Sequence, residues 1–326
     1  MSNEIIFSCI IPASKKDSES QNLKDLIASI KAQDFPQDKI EILVICPLYS
    51  QILGNEFSGV KYIQENADSE QAKAIGIRRA KGEICVMLCA DNYITDKLLF
   101  GTVVHILHSN EKLSAVYPCK YAHVRNDNSL NRYFSLIGGN DPISYYLGKN
   151  DRWPHVDSLR VWSDYSKSYG CNGFFYRTSD IRETDLNHYY PMDNAMEVKG
   201  KIASIGLSSI WHRTSDNLIN FLIKRYKYAR DLYCDRNDRR WRMVDTKEDY
   251  IRLAFFIACT ITVIQPLFVS IRGFIKVRDW AWAWHYPVCL GFLITYGVLT
   301  FRTFFVRLLS ARWKDALNPF KPLSKV

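Results

Sequence analysis

Two rhythms of apolar positions run through the first hundred residues. Ile5 to Ile11 is a short, β-branched run stopped by Pro12, which predicts a buried strand. From Asn22 the apolar residues Leu23, Leu26, Ile27 and Ile30 recur at helical spacing until Phe35-Pro36 interrupts them. Ile40 to Cys46 predicts a second buried strand, closed by Pro47, and Val60 to Ile63 a short third one. Residues 69–80 read as a helix, and Gly82 leads into a further buried strand, Glu83 to Cys89. Thr95 is expected to cap the next helix, with Leu98, Leu99, Thr102, Val103, Ile106 and Leu107 on one face. Apolar strands alternating with helices imply an α/β domain whose mainly parallel sheet is covered by helices. Ligands then bind at the carboxyl ends of the strands: Pro12-Ala13-Ser14, Pro47-Leu48 and Ala90-Asp91-Asn92.

Beyond residue 120 the rhythm changes. Residues 120–170 are polar and aromatic without periodicity, the mark of a substrate-facing loop region. From Leu218, the spacing of Phe221, Leu222, Ala229, Leu232 and Tyr233 predicts an amphipathic helix with Lys224, Arg225, Lys227 and Arg230 on its polar side. Such a helix is either a solvated surface element or one that lies on anionic headgroups. Two uncharged runs follow, Leu253–Ile271 and Trp280–Phe301, each about 30 Å long as a helix and so long enough to cross a hydrocarbon core. Arg272, Lys276 and Arg278 lie between them, and basic residues flank both outer ends. That layout fits a hairpin with cytoplasmic termini and also two shallow or re-entrant helices, with buried core helices as the third reading.

Charge sharpens the division. The 326 residues carry a net charge of +9, but residues 1–200 hold 22 Lys and Arg against 25 Asp and Glu, and residues 201–326 hold 21 against 9. A basic, apolar end behind a near-neutral globular part points to an anionic membrane surface; no nucleic-acid motif accompanies it. The nine cysteines are scattered, without Cys-x-x-Cys spacing, and read as small core hydrophobes. The first residues show no secretory signal, so the globular part is expected on the cytoplasmic side.

Three residues stand out for chemistry. Asp91 ends a buried strand, where a carboxylate can hold a hard cation against phosphate oxygens or simply cap a turn. His212 follows Ser209-Ile210-Trp211, and Asp193 follows an aromatic turn, where it suits a general base or a cap.

Their order carries a resemblance. Ser8-Cys-Ile-Ile-Pro12, then Asn22-Leu23, Ser29, Gln33 and Pro36, then Glu41-Ile-Leu-Val-Ile45 resemble the opening of family 2 glycosyltransferases with the GT-A fold. Residues Ala72 to Glu83 look like that family's Ala-Arg-Asn-x-Gly-Ile…Ala-x-Gly-Glu segment, and Asp91 ends the strand that carries its Asp-x-Asp. Asn172 to Arg177 resembles its Gly-x-x-x-x-Arg strand, Met192-Asp193 stands at its Glu-Asp pair, and Trp211-His212 at its C-terminal metal-binding His. There are departures. Cys46 to Ser50 replaces Asp-Asp-Gly-Ser, Cys89 replaces the first Asp of Asp-x-Asp, and Met192 replaces the Glu. No Gln-x-x-Arg-Trp motif follows, which argues against the family's processive synthases.

The resemblance implies a Rossmann-like GT-A domain over residues 1–215. A basic amphipathic segment (216–250), two apolar membrane helices (251–310) and a basic tail (311–326) are expected behind it. It implies an inverting transfer from a nucleotide-diphosphate sugar. Asp193 would be the base, Asp91 and His212 would hold Mg²⁺ or Mn²⁺, and Pro12, Ala13, Ser14, Lys73, Gly76 and Asp91 would meet the donor. A membrane lipid or lipid-linked glycan is the expected acceptor, met by Lys149, Arg152, Trp153 and Trp211, as in polysaccharide assembly. A polyprenyl-phosphate sugar synthase and a catalytically silent membrane scaffold are the alternatives.

Overall fold

The computed structural model describes residues 4–15, 17, 20–47, 57–150, 152, 160–162, 172–234 and 239–309. The chain divides into two compact units. The first comprises residues 1–216 and 240–253; the second comprises 217–239 and 254–326.

The first unit is built on a nine-stranded sheet: β1 (Phe7–Pro12), β2 (Ile40–Cys46), β3 (Val60–Gln64), β4 (Ile84–Met87), β5 (Asn92–Ile94), β6 (Leu113–Tyr121), β7 (Arg160–Trp162), β8 (Phe174–Arg177) and β9 (Lys201–His212). The strands follow the order β3-β2-β1-β4-β8-β6-β9-β5, with β7 also on β9. β1 to β4 are mutually parallel, as are β6 and β9, while β8, β5 and β7 run against their neighbours. The sheet is therefore parallel-rich, as the continuous apolar strands require, and the α/β class read from the sequence is the one observed.

Alternate residues of each strand feed two cores. Phe7, Cys9 and Ile11 pack with helix α1 (Gln21–Lys31) and helix α3 (Leu99–His108). Ile10, Leu43 and Ile45 face helix α2 (Ser69–Arg79) on the other side. Ser20 caps α1 by accepting from Leu23 N–H, and Asp68 with Gln71 forms a capping box on α2. Helices α4 (Ser129–Ile137) and α5 (Pro142–Leu147) lie in the stretch read as loop, capped by Asn128 and Asp141 and ended by left-handed Gly138 and Gly148. Short helices α6 (Thr178–Arg182) and α7 (Pro191–Glu197) follow β8.

One local expectation is corrected. Thr95 does not cap a helix: α3 starts at Leu99 without a side-chain cap, and Thr95 Oγ1 instead donates to Ser209 O at 2.9 Å, tying β5 to β9. The three-residue strand β5 exists because β9, far off in sequence, offers it a partner.

At the amino edge of the sheet, Ser8, Glu41, Lys81 and Gly82 form a buried polar knot. Ser8 Oγ donates to Glu41 Oε1 at 2.5 Å and accepts from Gly82 N–H at 2.8 Å, while Lys61 Nζ donates to Glu41 Oε2 at 2.9 Å. Burial alone would push the Glu41 carboxyl up. The Ser8 hydroxyl, the Lys81 N–H and the Lys61 ammonium outweigh it and hold the carboxyl below its ordinary value.

The second unit contains helices α8 (Leu218–Cys234), α10 (Ile264–Val277) and α11 (His285–Leu309), the 3₁₀ turn Trp280–Trp284, and the end of α9 (Lys247–Thr262). The first apolar run is broken. α9 and α10 meet at 88° around Val263, which takes a left-handed φ of 65°. The second runs through the 3₁₀ turn into α11, and the stretch Trp280–Phe305 is long and apolar enough to cross a membrane.

Candidate active site

Among parallel strands, the carboxyl edge gathers the loop ends, and here it gathers chemistry as well. Asp91 sits in the tight turn between β4 and β5. Buried Asn92 closes that turn by accepting from Cys89 N–H through its side chain at 2.9 Å. Register then does the rest. Asn92 pairs with His212 across β5 and β9, so Asp91 is carried beside the imidazole, and Asp91 Oδ2 stands 3.5 Å from His212 Nε2. Residues 121 positions apart, both named from the sequence, are thus brought together.

The sequence reading did not place the groups around them: it left out Tyr121, gave Asn172 no role at the site and put Arg152 on the acceptor. β8 runs antiparallel to β4, so its start lies at the same edge, and Gly173 turns there with φ of 69°. Asn172, just before it, is buried; its Nδ2 lies 3.3 Å from His212 Nδ1 and 3.4 Å from the Tyr121 hydroxyl. Tyr121 also packs its ring against His212 at 5.3 Å. Arg152 is fully buried; its guanidinium covers the faces of Tyr121 at 4.8 Å and Tyr117 at 5.4 Å and donates to Asn172 O. It is therefore an internal wall of the site, where the sequence suggested a contact to lipid phosphate. The signal for Asn172 was its place before a glycine at the head of a strand; Tyr121 left none, and Arg152 was read only as an acceptor contact.

Trp211 lies on the opposite face of β9 from His212, by strand alternation. Its Nε1 donates to Asp127 Oδ2 at 2.6 Å, and the Arg213 guanidinium stacks 4.0 Å from its ring. Arg213 is bonded in turn to Asp25 Oδ2 at 2.6 Å. Trp211 and Arg213 thus lock the register that presents His212.

The other predicted residues are dispersed. Asp193 is buried in the first turn of α7, and its Oδ1 accepts from the backbone N–H groups of Arg240 at 3.1 Å and Trp241 at 2.7 Å. Lys149 is internal: Nζ donates to Met243 O at 2.9 Å and Asp249 Oδ2 at 2.8 Å. Burial opposes ionisation of Asp249, but Lys149 and the N–H groups of Thr246 and Asp245 win and lower its carboxyl to about 2. Lys73 is buried on α2, its Nζ 3.6 Å from Glu70. Gly76 lies where α2 crosses Ile10 and Ile45, a contact with no room for a Cβ. Pro12 ends β1, Ala13 donates to Ile45 O, and Ser14 N–H donates to Asp17 Oδ2 in the following turn. Trp153 and the segment from Leu48 to Ser50 lie outside the described residues.

Asp91 and His212 fit a hard divalent cation. Ligands about 2.1 Å from one octahedral ion stand about 3 Å apart, close to the 3.5 Å between these two donors. Among the described residues no group of three or more His, Cys, Asp or Glu could hold a metal, so a bound ion would need oxygens from its substrate as well.

No protein-family model matches the sequence, and no curated protein sequence matches it. Solved structures do resemble the fold. S. aureus TarS 1–349 shares 15% identity at a TM-score of 0.42, over 70% of this chain and 65% of that one. In its complex with UDP-GlcNAc the values are 18% and 0.44, over 89% and 81%. The mannosyltransferase PcManGT from Pyrobaculum calidifontis, in complex with GDP-Man and Mn²⁺, shares 12% identity at a TM-score of 0.48, over 90% and 86%.

Proposed function

We propose that the chain is a GT-A-type, family 2-like glycosyltransferase. It would move a sugar, with inversion, from a nucleotide-diphosphate donor to a lipid-linked acceptor at the cytoplasmic face of a membrane. The observation that carries this reading is the pairing of Asp91 with His212 at the carboxyl edge of a parallel-rich sheet. A carboxylate and an imidazole there suit the diphosphate of a nucleotide sugar, with Mg²⁺ or Mn²⁺ shared between protein and phosphate oxygens.

When bound, such an ion would offset the charge that develops on the leaving diphosphate. Asp91 and His212 would hold it, with Asn172 and Tyr121 fixing the imidazole. Pro12, Ala13 and Ser14 would edge the donor side, and Lys73 would contact donor phosphate. Asp193 would take the proton from the acceptor hydroxyl as that oxygen bonds to the anomeric carbon and the bond to the diphosphate breaks. A single displacement inverts that carbon. The apolar and basic second unit supports a membrane-held acceptor.

The test is a thermal-shift panel on detergent-purified chain with UDP, GDP, CMP and dTDP, each with and without Mn²⁺, on wild type and Asp91→Ala. A ligand at about 100 times its Kd adds roughly 2.7 kcal/mol. A metal-dependent shift with one nucleotide, absent in the variant, supports the reading. Silence with every nucleotide sinks it and favours a scaffold.

A further inference from the structure

Helix α8 packs along α11 within the second unit. Phe221 meets Phe292 with ring centroids 6.0 Å apart, and Leu222 lies against Gly291. Arg225 Nη2 donates to the Tyr296 hydroxyl at 3.4 Å, and Arg302 Nη1 donates to the Tyr226 hydroxyl at 3.1 Å. Phe292 and Tyr296 are the middle of the apolar stretch Trp280–Phe305. The α8 cations therefore stand level with that middle: Arg225 half-buried, Lys224 and Lys227 exposed on the same turns. If α11 crossed a bilayer, these charges would lie at the centre of the hydrocarbon core, where they are strongly disfavoured.

The bent pair adds an independent constraint. α9 has 16 residues and α10 has 14, about 24 and 21 Å, each short of the roughly 30 Å core, and they turn through 88° at Val263. α10 exposes Ile264, Leu267, Phe268, Ile271 and Ile275, and it ends in the exposed cations Arg272, Lys276 and Arg278. No acidic residue occurs between Asp249 and Asp279. Apolar side chains beside cations, on a helix whose sequence holds no acidic residue, match one leaflet with anionic phosphates at its surface.

We infer that the second unit seats in a single leaflet of an anionic lipid bilayer and does not cross it. The apolar side chains of α10 and α11 meet acyl chains, and the cations of α8 and α10 meet lipid phosphates. This rests on the membrane part of the proposed function and narrows it to insertion from one side.

The full chain, carrying a protease-cleavable tag after Val326, is added to preformed sealed vesicles of phosphatidylcholine with or without phosphatidylglycerol. Flotation reads binding; an impermeant amine reagent and external protease read the side. The expected result is binding about tenfold or more tighter with phosphatidylglycerol, since several cations meet the surface. Lys276 should be modified and the tag cleaved as fully in sealed vesicles as after detergent. A tag protected until detergent means that α11 crosses, and protection of Lys276 alone means a hairpin; either overturns the inference. Equal binding to both vesicles overturns the phosphate contact. A chain that stays at the bottom as a self-associated species shows that a second copy covers the surface instead. No readout needs turnover, so failure here and failure of sugar transfer are told apart.

Discussion

The Asn172 side chain reaches the His212 imidazole across 3.3 Å, from the head of β8 to the end of β9. The same amide nitrogen lies 3.4 Å from the Tyr121 hydroxyl, so the ring is approached from two strands at once. Groups in this position govern how a ligating imidazole is aimed.

Asn172→Ala removes that hold and leaves the sheet intact. Loss of such a partner typically weakens metal affinity about 10–100-fold. Mn²⁺ titration of donor binding by calorimetry should show this half-saturation shift with the melting temperature little changed. An unmoved Mn²⁺ midpoint would remove Asn172 from the site.

Asp193→Asn tests the base. The amide oxygen still accepts from the Arg240 and Trp241 N–H groups, so the fold and donor Kd should be kept. Turnover should fall by about 10²–10⁴. Asp193→Ala should in addition lose roughly 1–3 kcal/mol of stability, because two N–H groups lose their acceptor. Normal turnover in the Asn variant would assign Asp193 to holding the chain alone.

Glu41 makes stability pH-dependent. Its folded carboxyl lies below the ordinary value, so its contribution is fully present above the unfolded value of about 4.3 and is lost as pH falls through the folded one. Urea midpoints of wild type should therefore decline on the acid side. Glu41→Gln should lower the neutral-pH midpoint and flatten that decline; a parallel pH profile in the variant would show that other carboxylates dominate.

Lys149→Met leaves Asp249 nine-tenths buried without its cation, at a cost of roughly 3 kcal/mol. Replacing both, Lys149→Met with Asp249→Asn, should recover most of it in thermal melts. Because the folded Asp249 carboxyl is lowered to about 2 from 3.8, the wild-type stabilisation is present above about pH 4 and fades towards pH 2. Additive losses in the double variant would show that the pair does not act as a unit.

The parallel half of the sheet was legible because its strands are continuous apolar runs and its helices are periodic. β1, β2, β4, α1 and α2 fall where the pattern puts them. β5 was not legible, since three residues carry no period and its partner β9 lies more than a hundred residues on. The site divides in the same way. Asp91 and His212 showed through motif order, but Asn172, Tyr121 and Arg152 converge from a turn, a strand end and a loop, and no local spacing records that. Lys149 was legible as a cation, yet its partner is 100 residues away, so its internal role could not be read.

The first unit is not a continuous length of polypeptide. After Asp216 the chain leaves it, and residues 240–253 return, bringing the backbone that Asp193 holds and the carboxylate that Lys149 pairs with. A stop codon after Asp216 would therefore not yield a trimmed but intact first unit. It would yield one with a stranded ammonium and an aspartate whose N–H donors are missing. A version without the second unit is better sought by joining residue 216 to residue 240 through a polar linker and ending the chain at Leu253, a deletion that follows the folded unit.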